Sequence, residues 1–274
     1  MLRRIPGIRL FTETKTWRSF RYGITTRVER RENSTFTGFQ RLPTQFEALA
    51  GPVIDLLLKE EAKTLNVTVH GCSNGAEAYS IASILKNARP ALRFAVRAFD
   101  IDPKIIEKAR SARYERRSEV LNNKYITEEF VETTFDSEDG FYRVKNEVRD
   151  QVRFDVADAL DRTLREKIGR SDIVYAQNFL FHMKPRGAVN AFNNVCALLK
   201  EKSALFIDGM DLPLRQKLTR AHRLTPLEYK IKEIHEEARR ARGTGWPYHY
   251  WGLEPFTTSR KDWRRRYATI FIKG

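Results

Sequence analysis

The chain has 274 residues, enough for one large domain with an ample hydrophobic core. Hydrophobic residues make up 41% and charged residues 31%, which is typical of a globular protein and excludes wholesale disorder. No apolar run approaches the roughly 20 residues that cross a bilayer, which argues against an integral membrane protein. The two cysteines form neither a disulfide framework nor a zinc site, so a reducing, cytoplasmic location is the simpler expectation.

The net charge of +15 is the unusual global property. Basic residues crowd residues 1–34, which show no clear helical or strand period and are expected to form a basic N-terminal arm, and they recur in residues 260–266. Such an excess favours an anionic partner: nucleic acid, a membrane surface, an acidic protein segment or a phosphorylated small molecule. It also serves solubility alone, and the basic start is shared with transit peptides.

Strands and helices alternate along most of the chain. Short apolar runs bounded by turn residues predict strands, and apolar residues three or four positions apart predict helices. The predicted strands are NVTVHG, FAVRAFDID, SDIVYAQN and SALFIDG, and the predicted helices cover residues 46–65, 76–86, 103–112 and 186–199. This alternation predicts an α/β fold with a doubly wound, mostly parallel sheet covered by helices on both faces.

Two segments depart from the alternation. Residues 123–157 are interpreted as a small antiparallel β insertion, because an acidic helical stretch precedes the runs DGFYRVKNEV and DQVRFDVAD. Residues 210–260 form a helical and aromatic elaboration, strongly helical up to position 243. Its aromatic loop contains Trp246, Tyr248, His249, Tyr250 and Trp251. The run YATIFIK predicts a last strand, so residues 35–274 are expected to form one domain.

The stretch GCSNG, residues 71–75, joins a predicted strand directly to a predicted helix. Gly71 and Gly75 permit a tight turn and a close approach of the backbone to a ligand. Ligands in doubly wound sheets bind beyond the carboxyl ends of the strands, where this loop is expected to lie. The loop lacks the full G-x-G-x-x-G spacing of a dinucleotide site and the lysine of a P-loop, so a purely structural turn stays an alternative.

Polar residues mark the ends of the other predicted strands. Asp100 follows the glycine loop along the chain in the manner of carboxylates that accept hydrogen bonds from ribose hydroxyls. Asp158 suits a purine amino group, and Asn178 and His182 are expected at the same edge of the sheet. Each residue alone is also explained as a local cap. Four strand ends that converge on one edge favour an adenosine-type ligand.

Five motifs resemble, in order, those of CheR-type chemotaxis methyltransferases. GCSNGAEAYSIA is similar to the family's signature G-C-S-T-G-E-E-P-Y-S-[IL]-A, and FTGFQRLPTQFEAL to its T-x-F-F-R-x-x-x-x-F linker. FDIDPKIIEKARSARY, GFYRVKNEVRDQVRFDVADAL and DIVYAQNFLFHM resemble its later motifs, so the likeness covers about residues 35–209. The family methylates receptor glutamates with S-adenosylmethionine and leaves S-adenosylhomocysteine. The resemblance therefore implies a Rossmann-like class I methyltransferase fold with a seven-stranded sheet.

The resemblance also implies the residues of a cofactor site. Thr37, Arg41 and Glu77 would lie at the methionine end, where a carboxylate pairs with the cofactor's ammonium and a guanidinium with its carboxylate. The other implied cofactor contacts are Asp100 at the ribose, Asp158 and Ala159 at the adenine, and Gly71, Ser73, Ile101, Gln177 and Asn178. No metal site is implied.

The sequence also departs from the family pattern. The first Glu and the Pro of the signature are Ala76 and Ala78 here, and the Arg before Asn is Gln177. The tyrosine of the methyl-transfer site is replaced by His182, which joins Arg41 as an implied catalytic residue. A glutamate is ionised at neutral pH, whereas a hydroxyl acceptor benefits from proton removal, which histidine can perform. The exchange favours a different acceptor, with His182 as its base or only as a pocket-lining residue.

Three functions stay open on the sequence. The first is methyl transfer to a hydroxyl of a small molecule or glycan, with residues 210–260 remodelling the substrate site. The second is the family's protein-glutamate carboxyl methylation, in which an acidic protein segment is the partner and the β insertion helps to bind it. The third is a non-catalytic S-adenosylmethionine-binding module or a basic nucleic-acid methyltransferase, which the charge alone supports.

Overall fold

The computed structural model describes residues 37–58, 64–242 and 254–274. The predicted basic arm over residues 1–34 and the predicted aromatic loop residues at positions 246–251 lie outside the described residues. None of the helices in the described ranges has the length and apolar character needed to span a bilayer.

The elements follow each other in the predicted alternating order. The strands of the described ranges are β1 Leu65–His70, β2 Phe94–Asp100, β3 Arg113–Glu115, β4 Phe135–Glu138, β5 Phe141–Val144, β6 Val152–Val156, β7 Ser171–Gln177, β8 Leu199–Asp208, β9 Thr225–Pro226 and β10 Ile270–Lys273. The α-helices are α1 Pro43–Ala48, α2 Ile54–Leu57, α3 Ala76–Ala88, α4 Pro103–Ser111, α5 Glu128–Thr134, α6 Asn146–Arg149, α7 Leu164–Ile168, α8 Pro185–Ala197, α9 Leu212–Ala221, α10 Ile231–Arg242 and α11 Trp263–Tyr267.

Seven strands form the central sheet in the order β6-β2-β1-β7-β8-β10-β9. The first five are parallel, and β10 runs antiparallel to both β8 and β9. Alternate residues of β7 belong to two different hydrophobic cores. Ile173 and Tyr175 lie in one core, and Val174 and Ala176 lie in the other. The two cores lie on opposite faces, because successive side chains of a strand point to opposite sides. The predicted seven-stranded, mostly parallel α/β sheet is confirmed.

The small antiparallel sheet has different bounds from the predicted insertion over residues 123–157. It consists of β3, β5 and β4 in that order, so it begins at Arg113. The run DQVRFDVAD does not belong to it, because Val152–Val156 pairs in parallel with β2 in the central sheet. The short helix α6 separates β5 from β6, so the two runs do not form a hairpin.

The helix predicted over residues 46–65 is broken. After α1, a π turn over Leu49–Val53 contains Pro52 and the non-helical residue Gly51, with φ −102° and ψ −106°. Proline has no backbone N–H to donate and clashes with the preceding turn, so a regular helix cannot continue through it. The predicted apolar face is nevertheless buried at Phe46, Leu49, Val53 and Leu57.

The predicted elaboration over residues 210–260 is helical but discontinuous in its described part. Helix α9 ends at Ala221, β9 adds an edge strand, and α10 follows. Helix α10 lies against α1, where the Thr44 backbone N–H donates to Glu237 Oε2 at 3.2 Å. Helix α9 is tied to the end of β8 by a buried ion pair between Arg215 and Asp208, at 3.2 Å. The elaboration is thus anchored beside the carboxyl ends of the strands.

Candidate functional site

The loop after β1 turns so tightly that two of its positions require glycine. Gly71 and Gly75 have φ +73° and +88°, in the left-handed region that favours glycine. A Cβ at Gly71 would lie 2.9 Å from the Phe179 ring, and one at Gly75 would lie 2.8 Å from the Phe154 ring. The backbone is therefore packed directly against aromatic rings, and α3 begins immediately after Gly75.

Asp100 joins the end of β2 to this loop. Its Oδ2 accepts a hydrogen bond from the Ser73 backbone N–H at 2.8 Å, and its Oδ1 accepts from the Asp102 N–H at 3.2 Å. The Asp102 side chain accepts from the Lys104 N–H and caps α4. The Asp100 carboxylate is half-buried at the edge of the sheet.

Glu77 lies in the first turn of α3 and is half-buried. Burial raises the pKa of its carboxyl to about 7, although the positive charge of Arg41 opposes that shift. Thr37 and Arg41 belong to the segment that leads into α1, and both are half-buried. Glu77 is thus close to half ionised at neutral pH, and a cationic ligand group would favour its ionised form.

The end of β6 lies beside the end of β2, with Val156 directly opposite Asp100. Ile101 and Val156 expose 36% and 53% of their surface, which is unusual for large apolar side chains among the described residues. Asp158 follows, its Oδ1 accepting from the Leu160 N–H at 2.9 Å, while Ala159 is buried. Two apolar side chains beside polar oxygens form a surface that suits a planar base.

Gln177, at the end of β7, takes part in a buried row of amides. Its Nε2 donates to Gln45 Oε1 at 2.7 Å, and Gln45 Nε2 donates to Thr269 Oγ1 at 2.6 Å. All three side chains are buried. Gln177 Oε1 is buried and accepts no hydrogen bond from the described residues. These hydrogen bonds connect α1 and the start of β10 to the end of β7, and they leave Gln177 Oε1 available as an acceptor.

Asn178 and His182 follow β7 in a turn that is held by the end of β8. Asn178 has φ +58°, and its N–H donates to Asp208 O at 3.0 Å. Phe181 N–H donates to Gly209 O at 3.1 Å, and the half-buried ring of His182 lies 3.9 Å from the Phe181 ring centroid. These bonds set His182 in a 3₁₀ turn, Leu180–His182, at the same edge of the sheet.

The structure also places residues at this edge that the sequence reasoning did not single out. His70 ends β1 and is buried between Phe99 and Phe179, with ring centroids 6.2 Å and 5.6 Å away. Burial lowers the pKa of His70 to about 4, although the charge of Asp158 opposes the shift. The sequence signal for His70 is its polar ring at the end of an apolar strand, directly before Gly71. The signal for Gln45, a polar residue within an apolar helical face, is weaker.

Residues 35–225 match the family model described as "CheR methyltransferase, SAM binding domain". The chain is 33% identical over 175 residues to a Pseudomonas putida protein named "Probable biofilm formation methyltransferase WspC", covering 62% of this chain and 40% of the relative. It is 26% identical over 176 residues to the "Chemotaxis protein methyltransferase" of Listeria innocua, covering 64% of each.

Among solved structures, the chain aligns with magnesium protoporphyrin IX methyltransferase from Synechocystis PCC 6803. The sequences are 14% identical, with a TM-score of 0.42, over 97% of this chain and 95% of the other. The alignments with the two bacterial relatives leave more than a third of each relative's length unmatched. Because the family model matches well over half of the chain, the chain belongs to the CheR methyltransferase family.

Proposed function

We propose that this member of the CheR methyltransferase family transfers a methyl group from S-adenosylmethionine to a hydroxyl group of a small molecule or glycan. The observation that carries the proposal is the hydrogen bond between Asp100 and the Ser73 N–H. This bond fixes the glycine loop beside the exposed apolar side chains of Ile101 and Val156. A carboxylate has about four acceptor sites. Two accept backbone N–H groups here, and the others suit the two hydroxyls of a ribose.

The residues present fit the cofactor at both ends. At one end, Ile101 and Val156 offer apolar contact for adenine, with Asp158 and Ala159 beside them. Asp158 would accept from the purine amino group.

At the other end, Glu77 would pair with the ammonium and Arg41 with the carboxylate of the methionine part, near Thr37. The unused Oε1 of Gln177 is a further acceptor for an ammonium, which has three N–H donors. Asn178 would close this end of the site, next to the β8 end that holds its backbone.

The cofactor supplies an electrophilic methyl group next to a positively charged sulfur. The chain's own task is to align an acceptor oxygen with that group and to accept the proton that the oxygen loses. His182 is the proposed base: it lies half-buried in the turn after β7, and a neutral imidazole nitrogen can accept a proton. Arg41, close enough to Glu77 to influence its charge, would position the cofactor for transfer.

Protein carboxyl methylation is the second candidate. It is favoured by the names of the relatives, which include a chemotaxis protein methyltransferase and a biofilm formation methyltransferase. The small sheet of β3, β4 and β5 also supports it, as a surface beside the site for an acidic protein segment. A carboxylate acceptor needs no base, so this reaction would not depend on His182.

A methyl-transfer assay with S-adenosylmethionine labelled in its methyl group distinguishes the two candidates. The purified protein is incubated with small-molecule, glycan and protein fractions, and labelled products are exposed to mild base. Transfer to a hydroxyl gives an ether that keeps its label. A base-labile label on protein would instead establish carboxyl methylation and contradict the proposed acceptor.

A further inference from the structure

Tyr175 is a buried tyrosine whose ring packs against the core, whereas its hydroxyl makes no hydrogen bond with the described residues. Its ring stacks on Phe206 at a centroid distance of 4.1 Å and an interplanar angle of 9°, and 1% of the residue is exposed. A phenylalanine could make the same stack. The hydroxyl itself is buried and makes no hydrogen bond with the described residues. A buried polar group without a partner costs about 1–3 kcal/mol, so the Tyr175 hydroxyl calls for an explanation.

The surroundings of Tyr175 show where such a partner would lie. Tyr175 and Gln177 are two positions apart on β7, so their side chains lie on the same face of the sheet, and each carries an unpaired oxygen. Tyr175 pairs with Val69 of β1, the strand that leads through the glycine loop to Glu77. Burial raises the pKa of the Tyr175 hydroxyl, and the negative charge of Glu77 raises it further. The hydroxyl thus stays protonated and can donate a hydrogen bond. Tyr175 also lies in the same hydrophobic core as Ala76 and Ala78, the residues on either side of Glu77.

We propose that Tyr175 is a positioning residue whose hydroxyl donates a hydrogen bond, directly or through one water molecule, to the ionised Glu77 carboxylate. The inference rests on the proposed function, in which that carboxylate pairs with the cofactor's ammonium. Tyr175 would stabilise the ionised form of Glu77 that binds the ammonium, while Gln177 Oε1 accepts from the ammonium itself. Tyr175 thus gains its partner when Glu77 ionises, and Gln177 Oε1 gains its partner when the ammonium binds.

Among the described residues, the charged and titratable groups with which Glu77 interacts electrostatically lie on three elements. They are Arg41 before α1, Cys72 in the glycine loop and Tyr175 on β7. Arginine stays charged throughout the neutral range. Burial raises the pKa of the Cys72 thiol, and of the Tyr175 hydroxyl, well above that range. Glu77, with a pKa of about 7, is therefore the group of this set that titrates between pH 5.5 and 8.

The test is the affinity for S-adenosylhomocysteine between pH 5.5 and 8, measured by calorimetry. In the wild type, binding should weaken below pH 7 as Glu77 takes up a proton, up to about tenfold per pH unit. In Tyr175→Phe the ionised carboxylate loses a donor, so the midpoint of this decline should move up by about one pH unit. The variant should bind about tenfold more weakly at pH 6 and within about threefold of the wild type at pH 8.

Two controls make the result specific. Tyr142→Phe removes a hydroxyl that accepts from Arg116 Nε at 3.0 Å in the small sheet, and it should leave the whole pH profile unchanged. Glu77→Gln should bind more weakly and show no decline below pH 7. An unshifted midpoint in a folded Tyr175→Phe protein, or a weakening that is equal at every pH, would overturn the role of Tyr175. Failure of the wild type to bind at any pH would instead overturn the proposed function.

Discussion

Asp100 accepts a hydrogen bond from the Ser73 backbone N–H at 2.8 Å, so a side chain at the end of β2 holds the glycine loop that follows β1. The same carboxylate is the proposed ribose acceptor, which means that loop geometry and ligand binding depend on one group. We expect Asp100→Ala to weaken S-adenosylhomocysteine binding by roughly 10–100-fold, since hydrogen bonds to a charged group contribute about 1.5–3 kcal/mol each.

Asp102→Ala is the matched control for this change. Asp102 caps α4 through the Lys104 N–H at 2.9 Å and has no proposed ligand contact. Its replacement should cost about 1 kcal/mol in the free energy of unfolding and leave calorimetric affinity within about twofold. Equal losses of affinity in the two variants would show that Asp100 acts only through folding.

Gly209 and Gly140 offer a test of the packing between β7 and β8. Their φ values are +69° and +70°, but a Cβ at Gly209 would lie 2.6 Å from Asn178 Cα, whereas one at Gly140 meets nothing within 4 Å. Gly140→Ala should cost about 1 kcal/mol through conformational strain alone. Gly209→Ala should cost about 3 kcal/mol and also weaken cofactor binding, because the Asn178 backbone must move. Similar stabilities in chemical denaturation would contradict the described contact.

His70 should make the protein sensitive to acid. Its pKa is about 4 in the folded chain, below the ordinary 6.5, so the unfolded chain takes up a proton first as the pH falls. The free energy of unfolding is therefore unaffected by protonation of His70 above pH 6.5 and falls progressively toward pH 4, by on the order of 3 kcal/mol. Glu77 acts in the opposite direction, because its raised pKa reduces stability as the pH rises from 4.5 to about 7.

His70→Phe isolates the histidine contribution, since a phenyl ring can stack between Phe99 and Phe179 in the same way. The difference in unfolding free energy between wild type and variant should change with pH only between about 6.5 and 4. Denaturant titrations at several pH values measure it. A difference that stays constant over that range would show that His70 is not held neutral by burial.

His182→Phe tests the proposed base without removing the cofactor site. The phenyl ring preserves contact with Phe181, whose ring centroid lies 3.9 Å from that of His182. Methyl transfer to a hydroxyl acceptor should fall by about 10²–10⁴-fold, the usual contribution of general base catalysis. Affinity for S-adenosylhomocysteine should stay within about threefold. Unchanged turnover on the true acceptor would limit His182 to lining the pocket.

The periodicity of the sequence predicted most of the central sheet because buried strands carry short, continuous apolar runs. It predicted β1, β2, β7 and β8 and the loop that turns at Gly71 and Gly75. It misplaced the small sheet, because a local pattern does not indicate which strand is the partner. Val152 and Phe154 would show the same alternating strand pattern in the small sheet as in the central sheet. Their pairing with β2 is decided by the tertiary fold.

Residues of the site were predictable where they end a strand and much less so where their role depends on packing. Asp100 and Asn178 follow apolar runs, which made them visible. Tyr175 looks like any apolar strand residue, since its unpaired hydroxyl exists only in the folded core. The role of Gln45 likewise depends on its hydrogen bonds with Gln177 and Thr269, which are distant in the sequence.

The cofactor site is best tested by calorimetric titration of the full chain with S-adenosylhomocysteine near pH 7, in buffers of different ionisation enthalpy. We expect saturable binding to one site, with the release of about half a proton as Glu77, whose pKa is about 7, becomes fully ionised beside the ammonium. Glu77→Gln should release none. The absence of saturable binding by either S-adenosylhomocysteine or S-adenosylmethionine would show that the chain has no such cofactor site.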